Sequence, residues 1–444
     1  MLTVIFATAW ALPIVWAQQQ INLDFSTKVQ WALWLVVGFV GIFPGIVAYM
    51  VWAERKVAAR FQDRIGPNRV GPLGLLQPIA DALKLITKEN IVPRSADQLV
   101  HLLAPVVLLV SAFLVLAVVP FGLGTSQKEH PAHFNGLVPI DPPSGLLYLI
   151  AVSSLGAMGI FLAGWSSRNK YSLLGAMRAV AQLVSYEIPQ VLAMVPIVLW
   201  TGSLSMVAIM NHQLDHGWFL WSPPGLLAFT LLLIASLAEV NRTPFDLPEA
   251  ESEIIAGYHT EYSGMRFGLF FLAEYLSVFA VCCLTTVLFL GGGSLPFSGL
   301  LPILDYPRIF GAETTTAFLI TNVISVSIFA LKVFFLIFVM FWIRVTLPRM
   351  RVDRLMNFAW KYMVPLSLIN ILIAAVWFEC TLRSGRPVAF AGLSIPGWIL
   401  GWVVTLPLVG LSVWLVFRFN RNERTALLEA AKPRRAVIVP VTAR

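Results

Sequence analysis

Charge is scarce in this sequence. Only 12% of its 444 residues are charged, whereas 58% are hydrophobic, and soluble domains are nearer to about 25% charged. No linker rich in serine, glycine or charged repeats divides the chain. This composition excludes an ordinary soluble domain and predicts a multi-span membrane protein surrounded by the lipid bilayer.

Cysteine is rarer still, since the chain has only Cys282, Cys283 and Cys380. The adjacent pair lies in an apolar run, where cysteine usually acts as a small hydrophobe. The sequence has no CxxC motif, no Cys/His cluster and no glycine-rich nucleotide-binding motif. We therefore expect no Fe–S cluster, flavin or metal in this chain. His130 and His133 stand three apart, but a loop pair without further ligands is more often solvated.

Acidic residues are fewer than basic ones, which gives a net charge of +8. A basic balance can indicate nucleic-acid binding. In a chain this apolar, loops rich in Lys and Arg on one side of the membrane explain the charge better. We expect no nucleic-acid partner.

Long runs of apolar residues make up much of the sequence. Each is about twenty residues or more, the length that a membrane span requires. A backbone in hydrocarbon must satisfy its own hydrogen bonds, and no run alternates like a barrel strand, so the predicted fold is all-α with nine transmembrane helices. The runs fall near residues 31–53, 99–121, 145–165, 178–201, 219–240, 266–291, 317–345, 357–379 and 396–418.

The positions of Lys and Arg predict how these spans are oriented. Most of the 31 basic residues fall in the odd-numbered loops and after the last run, so these loops and the C-terminus are predicted to be cytoplasmic. Residues 202–217 and 383–394 are among the predicted outer loops. The opening MLTVIFATAWALPIVWA fits either a cleaved signal or a short extra helix, and both leave residue 20 outside.

The first cytoplasmic loop is long and mixes charged with apolar residues: ERKVAARFQDRIGPNRVGPLGLLQPIADALKLITKENIVP. Apolar residues at helical spacing over 57–65 indicate an amphipathic helix at the membrane interface, which Gly66-Pro67-Asn68 ends. Gln77–Thr87 is a second predicted helix, with Asp81 and Lys84 on one face. The alternative is a basic loop that only sets the topology.

Glu187 is an acid inside the predicted fourth span. An ionisable side chain there is costly unless it is paired or protonated. Pro189 follows two residues later and frees a backbone carbonyl upstream. We favour a functional role over a structural hydrogen bond to a neighbouring helix, and we interpret Glu274 in span six and Lys332 in span seven in the same way.

Six of the 23 acidic residues lie in EVNRTPFDLPEAESEIIAGYHTEYSG, residues 239–264, at the end of span five and between spans five and six. Pro244 and Pro248 forbid a continuous helix there, and Asp246 with a glutamate three residues later resembles a helix start. An acid-rich helix N-terminus in water is the alternative. Crowding argues against it, because carboxylates gathered at a bilayer edge titrate together and can hold and pass protons. The six acids are Glu239, Asp246, Glu249, Glu251, Glu253 and Glu261.

These residues leave three classes open: a transporter, a channel and a proton-linked redox subunit. Four long stretches then carry a resemblance to a known family. They are AERKVAARFQDRIGPNRVGPLGLLQPIADALKL, LAGWSSRNKYSLLGAMRAVAQLVSYE, EVNRTPFDLPEAESEIIAGYHTEYSGMRFGLFFLAEY and RVTLPRMRVDRLMNFAWKYMVPLSLIN. In them the sequence closely resembles the family of the quinone-site membrane subunit of NADH:quinone oxidoreductase, respiratory complex I, over residues 30–378.

The resemblance implies a membrane-arm subunit of a proton-pumping enzyme, inactive alone, in the bacterial cytoplasmic (inner) membrane. Its implied substrate is a membrane quinone, ubiquinone or menaquinone, in a tunnel formed with the peripheral arm, where the last Fe–S cluster of a partner subunit reduces it. The implied partners are the peripheral-arm subunits, small membrane-arm subunits and antiporter-like subunits.

Carried over by motif, the resemblance assigns two groups of residues. The first belongs to the quinone tunnel and its mouth: Glu54, Arg55, Arg64, Asp81, Lys84, Arg242 and Arg344. The second belongs to a proton-linked acidic path: Glu187, Glu239, Asp246, Glu249, Glu251, Glu253 and Glu274. The family's acidic loop touches both groups, so the division between them stays open.

The resemblance also divides the chain into three parts. Residues 1–30 are a leader or extra N-terminal segment, 31–379 are the family core of eight spans, and 380–444 are an extra span and a basic cytoplasmic tail. The outer loop near 122–141 is longer than the family pattern. Two rival hypotheses are the corresponding subunit of a related membrane-bound hydrogenase or ferredoxin-linked complex, and an independent secondary transporter, for which we see no inverted repeat.

Overall fold

Twelve α-helices and one small hairpin are the main elements of the computed structural model, which describes residues 41–121, 140–246, 256–296, 315–383, 388–390, 393–395 and 397–430. The helices are α1 Phe43–Phe61, α2 Gln77–Thr87, α3 Gln98–Leu116, α4 Gly145–Ser166, α5 Lys170–Thr201, α6 Met206–His216, α7 Pro223–Glu239, α8 Gly264–Phe289, α9 Thr315–Thr346, α10 Val352–Phe358, α11 Val364–Phe378 and α12 Gly397–Ala430. A π-helical stretch, Ala359–Met363, joins α10 to α11. Strands β1 Val388–Phe390 and β2 Leu393–Ile395 pair antiparallel.

The predicted all-α membrane fold is confirmed. In the described part of the chain, seven helices are long and apolar enough to cross a membrane. They are α3, α4, α5, α8, most of α9, the run from α10 through α11, and part of α12. Helix α7 is apolar too but has only 17 residues. The first predicted run begins at residue 31, before the described residues, so the count of nine stays a prediction.

Helix α8 lies at the centre of the bundle. Its membrane-spanning window is 67% buried, the largest share among the candidate spans of the described chain. It packs against α1, α3, α7 and α9. Apolar residues around the whole circumference of a helix are typical of such a buried position. Any polar side chain on α8 therefore needs a partner from a neighbouring helix.

Small residues let neighbouring helices approach closely. A Cβ added at Gly159 of α4 would lie 3.0 Å from the backbone nitrogen of Leu108 on α3. At Gly175 of α5 it would lie 2.7 Å from Gly257, in the chain before α8. Small residues at contacts are how membrane helices pack without a hydrophobic driving force between them.

The structure corrects several predicted boundaries. The predicted outer loop 202–217 contains α6, which begins where the Ser205 side chain accepts a hydrogen bond from the backbone of Ala208. The predicted loop 383–394 overlaps the β1–β2 hairpin. Both elements are too short to produce a span-length apolar run. Helix α5 begins at Lys170 rather than at 178, because Asn169 caps it by accepting from the backbone of Tyr171.

The loop after α1 is among the described residues and contains helix α2. Helix α1 ends at Phe61, so the predicted helix over 57–65 is only partly present. Helix α2 has the predicted bounds. The end of this loop is tied to the residues before α8, because the backbone N–H of Ile91 donates to the Ser263 hydroxyl at 2.9 Å. The first loop therefore lies beside the segment that follows α7.

Candidate functional site

A buried charged cluster forms around Glu54, in the second half of α1. Glu54 is 8% exposed, and its carboxylate accepts a 2.7 Å hydrogen bond from the hydroxyl of Tyr275 on α8. Arg344, in the last turn of α9, donates to the other carboxylate oxygen. The guanidinium of Arg242, which follows α7, lies 3.9 Å from the carboxylate. We call these four residues the Glu54 cluster.

Two cations share one anion in the Glu54 cluster. The guanidinium of Arg242 lies 4.0 Å from the ring centroid of Tyr275, so the ring supports this cation while its hydroxyl bonds Glu54. A buried carboxylate needs such charge-assisted bonds because it has lost its water. With Arg242 and Arg344 positive and Glu54 negative, the formal charge of the cluster is +2 − 1 = +1.

The other residues assigned to the tunnel lie on the surface of the described structure. Arg55 of α1 forms a 2.7 Å ion pair with Asp81 of α2, with the two side chains 47% and 33% exposed. Arg64 donates to Gln62, and Lys84 is exposed on α2. The structure therefore joins Asp81 to α1, whereas the sequence indicated only that it shares a face with Lys84.

Asp246 forms a second buried ion pair. It is 5% exposed and accepts a 2.7 Å hydrogen bond from Arg349, just after α9. The neighbouring backbone N–H of Met350 donates to the carbonyl of Pro244 at 3.0 Å. The segment after α7 is thus fastened to the segment after α9, and Arg344 lies in the last turn of α9.

A small cavity lies between α3, α4, α5, α7 and α8, and two of the predicted acids line it. Its volume is about 80 Å³, and Glu239 and Glu274 are among the residues that line it. Gln190 donates to Glu239 at 2.6 Å. Glu274 accepts a 3.0 Å hydrogen bond from the Tyr258 hydroxyl, and Nε2 of His259 lies 3.4 Å from it. We call this the acid cavity.

The acid cavity is polar enough and large enough to hold water. A water molecule needs roughly 10–15 Å³ of such space and two or more polar partners. Besides the two carboxyls, the hydroxyls of Ser111, Ser153 and Ser277 belong to residues that line it. Carboxyls joined by water can exchange protons, which an apolar cavity would not allow.

Glu187 lies outside the lining of the acid cavity. It is half-buried on α5, and a negative charge on Glu187 would act electrostatically on Glu239. Glu249, Glu251 and Glu253 lie outside the described residues, as do His130 and His133.

The Glu54 cluster and the acid cavity are neighbours because α8 supplies both with consecutive residues. Glu274 lines the cavity, and Tyr275 bonds Glu54. Arg242 also acts electrostatically on Glu274. Successive residues of a helix point about 100° apart, so one helix can present them to two adjoining sites.

Sequence reasoning missed the partners of the acids. Tyr275, Gln190, Tyr258 and Arg349 each bond a predicted site residue. The signal for Gln190 was available, because a polar side chain inside an apolar span calls for a partner, as an acid does. For Tyr258 and Arg349 we find no comparable signal, since they lie outside the apolar runs.

Lys332 is on α9. It contacts the residues just after α8 and not the part of α8 that carries Glu274. Its ammonium donates to the carbonyls of Leu290, Gly292 and Ser294 at 2.6, 2.8 and 2.5 Å, and it lies 4.1 Å from the Trp218 ring centroid. Three acceptors match the three donors of an ammonium. This is the geometry of a cation that fastens the C-terminal end of α8 to α9, and its predicted functional role stays a prediction.

Comparison with known proteins gives consistent matches. The model of the family described as NADH dehydrogenase matches residues 32–375. A protein of Leptospira biflexa serovar Patoc (strain Patoc 1 / Ames), named as the NADH-quinone oxidoreductase subunit designated H, is 44% identical over 360 residues, which cover 80% of this chain and 96% of that protein. The protein of the same name from Dehalococcoides mccartyi (strain CBDB1) is 47% identical over 352 residues, which cover 79% of this chain and 87% of that protein.

A third relative extends the pattern. The protein of the same name from Geobacillus kaustophilus (strain HTA426) is 47% identical over 344 residues, covering 76% of this chain and 92% of that protein. The matched residues 32–375 include the whole Glu54 cluster and the acid cavity, whereas α12 lies beyond them.

Proposed function

Since this chain belongs to the NADH dehydrogenase family and is a membrane subunit of respiratory complex I, we propose that it forms part of a quinone-binding tunnel and links quinone reduction to proton translocation. The observation that carries the proposal is the adjacency of Glu274 and Tyr275 on α8. Because these two residues are adjacent, a charge that appears beside the Glu54 cluster changes the electrostatic potential in the acid cavity.

The Glu54 cluster supplies the chemistry for a quinone. A quinone carries two carbonyl oxygens that accept hydrogen bonds, and these oxygens gain negative charge as electrons arrive. Arg242 and Arg344 offer N–H donors and an excess of positive charge. Preorganised donors of this kind stabilise developing negative charge in a site shielded from water. We propose that the quinone passes this cluster.

The exposed surface of α1 and α2 supplies the tunnel mouth. Ile79, Leu83 and Ile86 of α2 are 54%, 58% and 63% exposed, and an apolar face of this size fits the isoprenoid tail of a membrane quinone. Arg55, Arg64, Asp81 and Lys84 lie on the same α1–α2 surface. In this proposal they hold α2 in position and line the polar rim.

The acid cavity supplies the proton-exchanging groups. Glu239 accepts from a neutral amide, and Glu274 accepts from a phenol and lies beside an imidazole. In a low-dielectric site such carboxyls respond to a nearby change of charge by taking up or releasing a proton. We propose that Glu187, Asp246, Glu249, Glu251 and Glu253 continue this path.

The wider assignments follow from complex I as a whole. The chain assembles with other subunits of the complex. We propose that these include the peripheral-arm subunits with the terminal Fe–S cluster, the small membrane-arm subunits and the antiporter-like subunits. We also propose a bacterial cytoplasmic membrane location with the odd-numbered loops and C-terminus inside, three parts at 1–30, 31–379 and 380–444, and no activity of the chain alone.

The test is performed on the assembled complex in sealed vesicles. We expect the double variant Glu239→Gln/Glu274→Gln to assemble but to lose proton translocation driven by NADH oxidation. Asp353→Asn, at an exposed acid of α10, is the matched control and keeps it. Full proton translocation in the double variant contradicts the acid path. Copurification of a nickel hydrogenase subunit without an NADH-binding subunit contradicts the quinone assignment.

A further inference from the structure

One buried amide holds both ends of the segment that delivers Arg242. We infer that Gln182 of α5 is a positioning residue, which fixes residues 238–246 so that Arg242 reaches the Glu54 cluster and Asp246 reaches Arg349. The functional part of this inference rests on the proposed quinone site, whereas its structural part does not.

The contacts of Gln182 are specific. Its side chain is 0% exposed, and its Nε2 donates to the carbonyl of Ala238 at 2.8 Å and to the carbonyl of Phe245 at 2.7 Å. A glutamine amide has two N–H donors, so the two carbonyls use both. These acceptors are seven residues apart in the chain and enclose Arg242.

The enclosed segment is irregular, and besides Gln182 it is held by its own turns and by the contacts of Pro244 and Asp246 with the segment after α9. It leaves helical geometry after α7, with Asn241 at a φ of 52°. The backbone N–H of Asn241 donates to Ala238 at 3.2 Å, that of Arg242 to Leu237 at 3.2 Å, and that of Phe245 to Arg242 at 2.8 Å. Buried backbone carbonyls require partners. Without Gln182, the carbonyls of Ala238 and Phe245 lose the donor that joins them.

Three site residues depend on this segment. Glu239 directly follows Ala238, Asp246 directly follows Phe245, and Arg242 lies between them. A displacement of about 1 Å in a positioning element can lower an enzyme's rate by roughly 100-fold. The two hydrogen bonds that Gln182 donates go to backbone carbonyls rather than to these charged groups, so it acts through the backbone.

The chemistry explains why an amide occupies this position in an apolar helix. A methionine would fill a similar volume without burying a polar group, which costs free energy unless the group is bonded. A glutamate would present carboxylate oxygens to two carbonyl oxygens. Only a neutral group with two N–H donors satisfies both acceptors at once.

Helix α5 also provides a matched control. Tyr186, one turn after Gln182, is equally buried, and its hydroxyl donates to the carbonyl of Leu355 at 3.0 Å. This bond is again from a buried side chain to a backbone carbonyl, but it reaches α10 instead of the 238–246 segment. Tyr186→Phe keeps the ring that packs on Phe245 and removes only the donor.

The experiment compares Gln182→Met with Tyr186→Phe in the assembled complex. In Gln182→Met we expect amide hydrogen exchange over 240–246 to accelerate by roughly tenfold or more, since two buried bonds are lost. We expect the KM for a short-chain quinone to rise several-fold, whereas NADH oxidation by a water-soluble artificial acceptor stays unchanged. Tyr186→Phe changes neither the exchange over 240–246 nor the quinone KM.

A second variant separates positioning from packing. A carboxylic acid has one O–H donor only while it is protonated. The quinone reductase activity of Gln182→Glu is therefore expected to fall as the pH rises across a range in which the native complex is constant. If Gln182→Met fails to assemble, this pH profile is the deciding measurement.

The outcomes distinguish the two proposals. Unchanged exchange over 240–246 in Gln182→Met, or a pH profile of Gln182→Glu that matches the native one, overturns the positioning role. Faster exchange with an unchanged quinone KM supports the positioning role and contradicts the proposed participation of Arg242 in quinone binding.

Discussion

The Glu54 cluster and the acid cavity adjoin each other on α8, but the groups that surround their carboxyls differ in charge. Glu54 accepts hydrogen bonds from Arg344 and Tyr275, with Arg242 beside it. Glu239 accepts from Gln190, and Glu274 accepts from Tyr258. Glu54 is matched by two guanidinium groups, whereas Glu239 and Glu274 accept from an amide and a phenol and line a cavity. Glu274 also has the His259 imidazole 3.4 Å away.

The difference matters because of the low dielectric inside the bundle. A carboxylate between guanidinium groups is held as an anion, and its partners are held as cations, so this site has a constant electric field. A carboxyl with uncharged donors can change its charge when the field changes. The pair of sites therefore combines a fixed electrostatic element with a variable one, joined by the consecutive residues Glu274 and Tyr275 of α8.

The largest effect is expected from removing a cation of the Glu54 cluster. Arg344→Met leaves Glu54 with one cation less in a buried site, and breaking such pairs costs about 3–5 kcal/mol. We expect the purified complex to lose thermal stability and quinone reduction together. In Glu54→Gln/Arg344→Met, stability should recover in part, since the buried anion that lost one of its two cations is gone. Equal stability of Arg344→Met and the native complex would mean that the cluster is not the fixed element described above.

A different result is expected when Glu274, an acid of the acid cavity, is replaced by a neutral residue. Glu274→Gln keeps the shape and the Tyr258 bond, so we expect a stability change within about 1 kcal/mol. NADH-driven acidification of vesicles should nevertheless fall more than NADH oxidation does. Parallel measurement of both rates checks this, with Asp353→Asn as control. An unchanged ratio of protons to electrons would remove Glu274 from the acid path.

Smaller effects are expected farther from the cavity. Glu187→Gln and Glu249→Gln should leave assembly intact and lower coupled quinone reduction, because a neutral amide cannot exchange the proton. The measurement is quinone reduction and proton translocation in assembled complexes, quantified by the amount of this subunit present. Native rates in the combined variant would count against a path that extends beyond Glu239 and Glu274.

The smallest effect is expected from breaking the exposed ion pair between Arg55 and Asp81. Arg55 and Asp81 are both substantially exposed, and such pairs contribute about 0–1 kcal/mol. Arg55→Gln should therefore change the unfolding temperature only slightly, and the difference should shrink further at high salt because of screening. A loss as large as that of Arg344→Met would show that α2 depends on this contact more than its exposure indicates.

Much of the fold was predictable because it depends on local properties of the chain. Apolar runs of membrane-spanning length predicted the long helices, and helix α2 was predicted with its observed bounds. Short elements were missed, such as α6 and the β1–β2 hairpin, because neither produces a long apolar run. Capping residues such as Asn169 and Ser205 decided where α5 and α6 begin.

By itself, the sequence determined that this is an α-helical membrane protein with acids in and beside its spans, since hydrophobicity and helical hydrogen bonding are properties of short segments. Which charges meet was decided only by the tertiary structure. Glu54 and Arg344 are 290 residues apart and meet because α1, α8 and α9 pack together. Gln182 reaches Ala238 and Phe245 for the same reason. A buried polar group bonds the partner that the packing of the helices brings near. The spacing of residues in the sequence does not predict which partner that is.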